Sequence, residues 1–154
     1  MSLSTYKAII HNIETQYCLF SQPDESSNDI AISRYDDTLR DGFIWEISYL
    51  VLDKVMTGHI RHVSKNKYIE GVAVNETTND YPIKLGNADI MSSGLFYFNP
   101  YYDINKIIHV YEFPGAGTNC FLSARKTGFK LAHLSREPLP ANTTDTWTIE
   151  LIVD

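Results

Sequence analysis

Cysteine is scarce in this chain, 2 in 154 residues, too few for a disulfide framework. No run approaches the ~18 consecutive apolar residues of a membrane-spanning helix, so membrane insertion is not expected. Positive charge is in deficit: 13 Lys and Arg stand against 19 Asp and Glu, a formal net charge of −6. Nucleic acids and anionic membranes favour the opposite balance and are set aside as partners. The opening, Met1 to Tyr6, has no basic segment leading into an apolar run. The expectation is therefore a cytoplasmic protein, with release by non-classical export as the other route.

Catalytic and metal patterns are also missing. There is no Gly-x-Ser-x-Gly elbow, and Gly115-Ala116-Gly117 lacks the lysine of a phosphate cradle. His59 and His62 are three apart on an expected strand, which sends them to opposite faces. The acid pairs Asp24-Glu25 and Asp36-Asp37 lie in polar loops with no apolar wall to separate their pKa values. No enzyme activity, metal or other cofactor is expected.

What the chain does have is a strand pattern in triplicate. Trp45-Glu46-Ile47, Phe96-Tyr97-Phe98 and Trp147-Thr148-Ile149 follow one another at intervals of 51 residues. An aromatic with an apolar residue two positions on forms one face of a strand. Cys18-Leu19-Phe20 and Cys120-Phe121-Leu122 each begin 27 residues before a tryptophan, and Tyr68-Ile69 begins 28 before Phe96. That spacing gives Cys18 and Cys120 the same place in two repeats, as buried reduced thiols. Between these anchors run Ile30-Ala31-Ile32, Ile83-Lys84-Leu85 and Phe129-Lys130-Leu131. Ahead of them stand Ile10, Ile60 and Val110, 50 apart. The β-branched and aromatic content favours strands over helices, including Phe43 to Leu52, the longest apolar run. The reading is one all-β domain over 1–154, twelve strands in three repeats at about 5–54, 55–103 and 104–154.

Three repeats of four strands, each closed by an aromatic-x-apolar strand, resemble a β-trefoil, and among trefoils the small fungal ricin-type lectins and protease inhibitors. The ricin-type likeness implies a Gln two residues before each closing aromatic, where this chain has Phe43, Gly94 and Asp145. It also implies an acid after the second strand, met only by Glu70, with Phe20 and Leu122 in the other repeats. After the third strand it implies an aromatic, and there stand Arg34-Tyr35-Asp36-Asp37, Gly86-Asn87 and Ala132-His133.

The expected ligand-binding residues are Arg34, Tyr35, Asp36 and Asp37, then Glu70 with Asn87, and His133. A tyrosine ring can stack on a pyranose face while carboxylates accept from its hydroxyls. One or two working sites for a glycan or glycoprotein follow, on loops carried by a rigid scaffold. The alternative is protease inhibition through an exposed loop, Pro114 to Asn119 or Arg136-Glu137-Pro138-Leu139, where prolines lower the ordering cost of binding. A cytokine-like trefoil, from the interleukin-1-type spacing of the third repeat, is a weaker alternative. A homodimer is compatible with each.

Overall fold

The computed structural model describes residues 4–23, 26–52, 55–72, 80–87, 96–98, 104–109, 120–128, 131–136 and 139–152. Its strands are, in order, β1 (Ser4–Asn12), β2 (Cys18–Phe20), β3 (Ala31–Ser33), β4 (Trp45–Leu52), β5 (Val55–His62), β6 (Lys67–Gly71) and β7 (Asp80–Gly86). They continue as β8 (Phe96–Phe98), β9 (Ile108–His109), β10 (Cys120–Arg125), β11 (His133–Arg136), β12 (Thr143–Thr144) and β13 (Trp147–Leu151). A short 3₁₀ segment, Asp37–Gly42, lies between β3 and β4. Twelve of these strands fall four to a repeat. The thirteenth, β12, is a two-residue addition that pairs with the end of β10.

Antiparallel pairing runs β13–β1–β4–β5–β8–β9, and a bridge between Asn105 and Trp147 closes the ring. Closure removes the unpaired edges that would otherwise recruit another strand. The hairpins β2–β3, β6–β7 and β10–β11 cover one end and are tied to each other. Strand β7 pairs with β11, Leu85 N donates to Asn28 O, and Ala132 N donates to Ile30 O.

The pairing fixes which residues are equivalent. Ala8 faces Trp45, Gly58 faces Phe96 and Asn105 faces Trp147. It follows that Ile10, Ile60 and Ile107 match, as do Leu19, Ile69 and Leu122, and Ile32, Leu85 and Leu134; all nine are buried. Burying large aliphatic and aromatic groups at ~25 cal/mol per Å² is the main force holding the barrel shut. The two indoles add a directed tie: Trp45 Nε1 donates to Leu19 O at 3.1 Å, and Trp147 Nε1 to Leu122 O at 2.7 Å.

The third repeat departs from equal spacing. The residue equivalent to Ile10 and Ile60 by pairing is Ile107; Val110 lies outside the described residues. Nine residues separate Ile10 from Leu19 and Ile60 from Ile69, but fifteen separate Ile107 from Leu122. The described third strand of that repeat is His133–Arg136, beyond the expected run Phe129 to Leu131. Phe129 and Lys130 lie outside the described residues, and Leu131 makes an isolated bridge to Ala31. Registering β2, β6 and β10 on their first-strand partners sets Cys18 opposite His11, Tyr68 opposite Arg61 and Phe121 opposite Ile108. Cys18 is thus matched by Tyr68 and Phe121, one residue away from the expected match with Cys120. Both cysteines are free and buried.

One turn is built twice with different chemistry. Between β1 and β2 the buried Asn12 Oδ1 accepts from Thr15 N at 3.0 Å, and Gln16 N donates to Asn12 O. Between β5 and β6 the buried His62 Nδ1 accepts from Lys65 N at 3.3 Å, and Asn66 N donates to His62 O. Each turn then passes through a positive φ, 63° at Gln16 and 54° at Asn66. His62 Nδ1 is an acceptor here, so the proton sits on Nε2, 3.1 Å from Gly42 O, to which it donates.

Burial holds the His62 pKa below its ordinary value, against the Gly42 carbonyl, which raises it. His133 is also lowered, again chiefly by burial, against the opposing pull of Asp80. The unfolded chain therefore takes up protons near pH ~6.5 that the folded chain refuses. Stability is expected to be full above that pH and to fall as pH drops toward the lowered native values. Urea midpoints at pH 7.5 and 5.0 check this; equal midpoints would contradict it.

Candidate functional site

One groove beside the expected sugar box, bordered by Tyr35, is about 420 Å³ and is lined by Ile9, His11, Gln16, Cys18, Tyr35 and Glu150, while Asp37 borders a separate hollow of about 360 Å³. That volume falls in the lower part of the range for small-ligand sites. Strand β1 supplies Ile9 and His11, the following turn Gln16, β2 Cys18, and β13 Glu150. Tyr35 comes from the segment after β3 and is 37% exposed as a residue. Two supports hold it. The hydroxyl donates to Asp37 Oδ1 at 2.8 Å, and the ring packs on Phe43 at 5.1 Å between centroids. Phe43 is buried and packs in turn on Phe20 at 4.6 Å. The ring therefore presents an open apolar surface without being free to swing.

Of the expected quartet, only Tyr35 borders the groove. Asp36 caps the 3₁₀ segment: its Oδ1 accepts from Thr38 N at 3.0 Å and from Thr38 Oγ1 at 2.8 Å. Those bonds hold its carboxyl below the usual range. Asp37 is the acceptor that positions Tyr35, and it pushes the phenol pKa up. Arg34 is exposed and is not part of the lining.

The remaining expected residues lie elsewhere. Glu70 is on β6, its side chain 13% exposed and 3.6 Å from Lys84 Nζ. Its carboxylate covers Gly86, where an added Cβ would come within 2.4 Å of it. Asn87 is exposed at the end of β7, so the structure does not bring Glu70 or Asn87 to the Tyr35 groove.

His133, the remaining expected ligand residue, is not part of the Tyr35 groove lining. It is buried on β11, with Nε2 3.4 Å from Asp80 Oδ1. Asp80 also accepts from Ser135 Oγ at 2.7 Å and pairs with Arg125, which bonds Thr143. This network ties β7, β10, β11 and β12 together. Ser135 is wholly buried within it. In the inhibitor alternative, Arg136 ends β11 half-buried and Leu139 is half-buried too. Glu137, Pro138 and the loop Pro114 to Asn119 lie outside the described residues.

The groove lining differs from the other repeats at Cys18. At the positions equivalent to Cys18, Tyr68 and Phe121 are half-buried rings that cover their first-strand neighbours. Tyr68 meets His59 edge-on at 5.9 Å, and Lys106 Nζ lies 5.5 Å over the Phe121 ring. The residue equivalent to His59 and Lys106 is Ile9, which lines the groove together with Cys18 and its cross-strand partner Glu150. Cysteine is smaller than either aromatic and occupies less of this space. The sequence reading overlooked His11, Gln16, Cys18 and Glu150. The contrast of Cys18 with Tyr68 and Phe121 was the available signal, hidden by a one-residue error in aligning the third repeat.

Two other hollows, of about 310 and 360 Å³, flank the 3₁₀ segment and share Arg40, Asp41 and Ser64. Neither is lined by an aromatic ring. Among the described residues no group of three or more His, Cys, Asp or Glu is placed to hold a metal, and no helix is long and apolar enough to cross a membrane.

No protein-family model matches the sequence, and neither does any curated protein. Solved structures do match. The designed threefold-symmetric protein ThreeFoil superposes with a TM-score of 0.67 at 9% identity, over 94% of this chain and 97% of its own. A mutant of Gallus interleukin-1β gives 0.70 at 14% identity, over 97% and 99%. The β-trefoil BEL gives 0.64 at 12% identity, over 96% and 93%. At such identities the likeness is one of backbone path.

Proposed function

We propose that this chain, which is a β-trefoil, is a non-catalytic carbohydrate-binding protein with one working site, the groove beside Tyr35. The observation that carries the reading is a braced, half-exposed tyrosine ring at the edge of a groove whose lining includes an imidazole, an amide and a carboxylate. A pyranose offers an apolar face to the ring and hydroxyls to the polar groups, so the lining matches both halves of such a ligand. At the equivalent places in the other repeats Tyr68 packs on His59 and Phe121 lies under Lys106, which supports one site over three. No cofactor enters this scheme.

A glycan array followed by titration of the hits tests it. The wild-type protein is expected to bind a subset of glycans. Tyr35→Ala is expected to lose ~1.5 kcal/mol of stacking, roughly tenfold in Kd, with little change in thermal stability. An array without hits would overturn the proposal. Tyr35→Ala binding with wild-type affinity would remove this groove as the site. Titration against papain-like and trypsin-like proteases is the parallel check, since inhibition without glycan binding would favour the loop alternative.

A further inference from the structure

The charge of the groove narrows the class of sugar that fits it. Among the described residues lining it, Glu150 is the one carboxylate, and there is no lysine or arginine. A second carboxylate stands close by, because Tyr35 at the rim donates to Asp37. The floor feels this field: the Cys18 thiol is pushed up to about 11, first by burial and then by Glu150. The equivalent regions of the other repeats carry cations instead. Arg61 bonds Glu46 and Asn66 in the second repeat, and Lys106 lies over Phe121 in the third. Arg34, a neighbour of Tyr35 in sequence, is not part of the groove lining.

We infer that the groove selects neutral saccharides and disfavours those ending in a carboxylate or sulfate; this rests on the sugar-binding reading above. An ionised carboxylate has acceptor sites only, so Glu150 matches hydroxyl donors and has nothing to offer an anion. An acidic terminus placed in the groove would meet the Glu150 carboxylate with no lysine or arginine in the lining to neutralise it, Arg40 acting on Tyr35 from outside that lining; like charge of this kind is a repulsive element that sets specificity.

The test uses matched glycan pairs, one ending in a neutral hexose and its partner carrying a terminal carboxylate or sulfate. Both are titrated into wild-type protein and Glu150→Gln at low and moderate salt. The wild type is expected to bind the neutral member roughly fivefold or more tightly than its acidic partner at low salt, with the gap narrowing as salt screens it. In Glu150→Gln the gap should also narrow. Equal or tighter binding of the acidic member by the wild type would overturn the charge inference and leave the sugar site standing. Binding of neither class would overturn both.

Discussion

Trp147→Ala is expected to cost about 3–5 kcal/mol of stability, the range for deleting a fully buried large aromatic. In a chain of this size that corresponds to a fall in Tm of roughly 10 °C. Trp147 is completely buried, pairs with Asn12 across the β1–β13 ladder, and exchanges both backbone bonds with Asn105 where the barrel closes. Truncation empties the core at that seam and removes the donor that Leu122 O receives. Trp147→Phe separates the two effects. Phe96 already fills the equivalent place in the second repeat without an N–H group, so a ring alone is compatible with this barrel. The phenylalanine variant should lose only about 1–2 kcal/mol, the scale of one buried hydrogen bond with slight loss of packing. Chemical denaturation of the three proteins measures both. A cost below ~1 kcal/mol for Trp147→Ala would show that the indole does not close the barrel.

The fold was legible in the sequence because a threefold barrel repeats its core. Trp45, Phe96 and Trp147 keep their spacing and their burial, and residues with period-two alternation point inward in all three repeats. What spacing could not supply was register in the third repeat. Nothing in the apolar pattern singles out Ile107 and Ala132, which the core contains; their places come from the pairing that sets Asn105 against Trp147 and Leu122 against Leu134. A slip of one residue reverses which side chains face out, and that slip concealed the contrast of Cys18 with Tyr68 and Phe121.

Of the candidate groove, only Tyr35 was legible as a ligand-binding residue. Asp36 and Asp37 looked like sugar acceptors, but a polar residue just ahead of a short helical segment has a competing use as a cap, which Asp36 takes. Glu150 could not be placed from local pattern, because it reaches the groove through the pairing of β13 with β1, the two ends of the chain. His133 seemed to follow its repeat's third strand and in fact lies within it.

The second large effect concerns the residue that makes room for a ligand. Cys18→Tyr installs the ring that the second repeat carries at Tyr68, on the same outward side of the same strand. The backbone there accepts an aromatic, as two of three repeats show, so the folded state should persist with stability within ~1 kcal/mol of wild type. The groove of about 420 Å³ should be filled, since a phenol is far larger than a thiol and Ile9, His11 and Tyr35 border the space it would enter. Tyr35→Ala would weaken a ligand by removing one contact, whereas Cys18→Tyr denies it the volume.

The decisive measurement is therefore a calorimetric titration of wild type and Cys18→Tyr with a glycan the wild type binds, on samples shown by circular dichroism to be equally folded. Complete loss of heat in a folded Cys18→Tyr protein is the expected result. Undiminished affinity in that variant would mean that any sugar binds elsewhere, and that the missing ring of the first repeat is not what sets this trefoil's function.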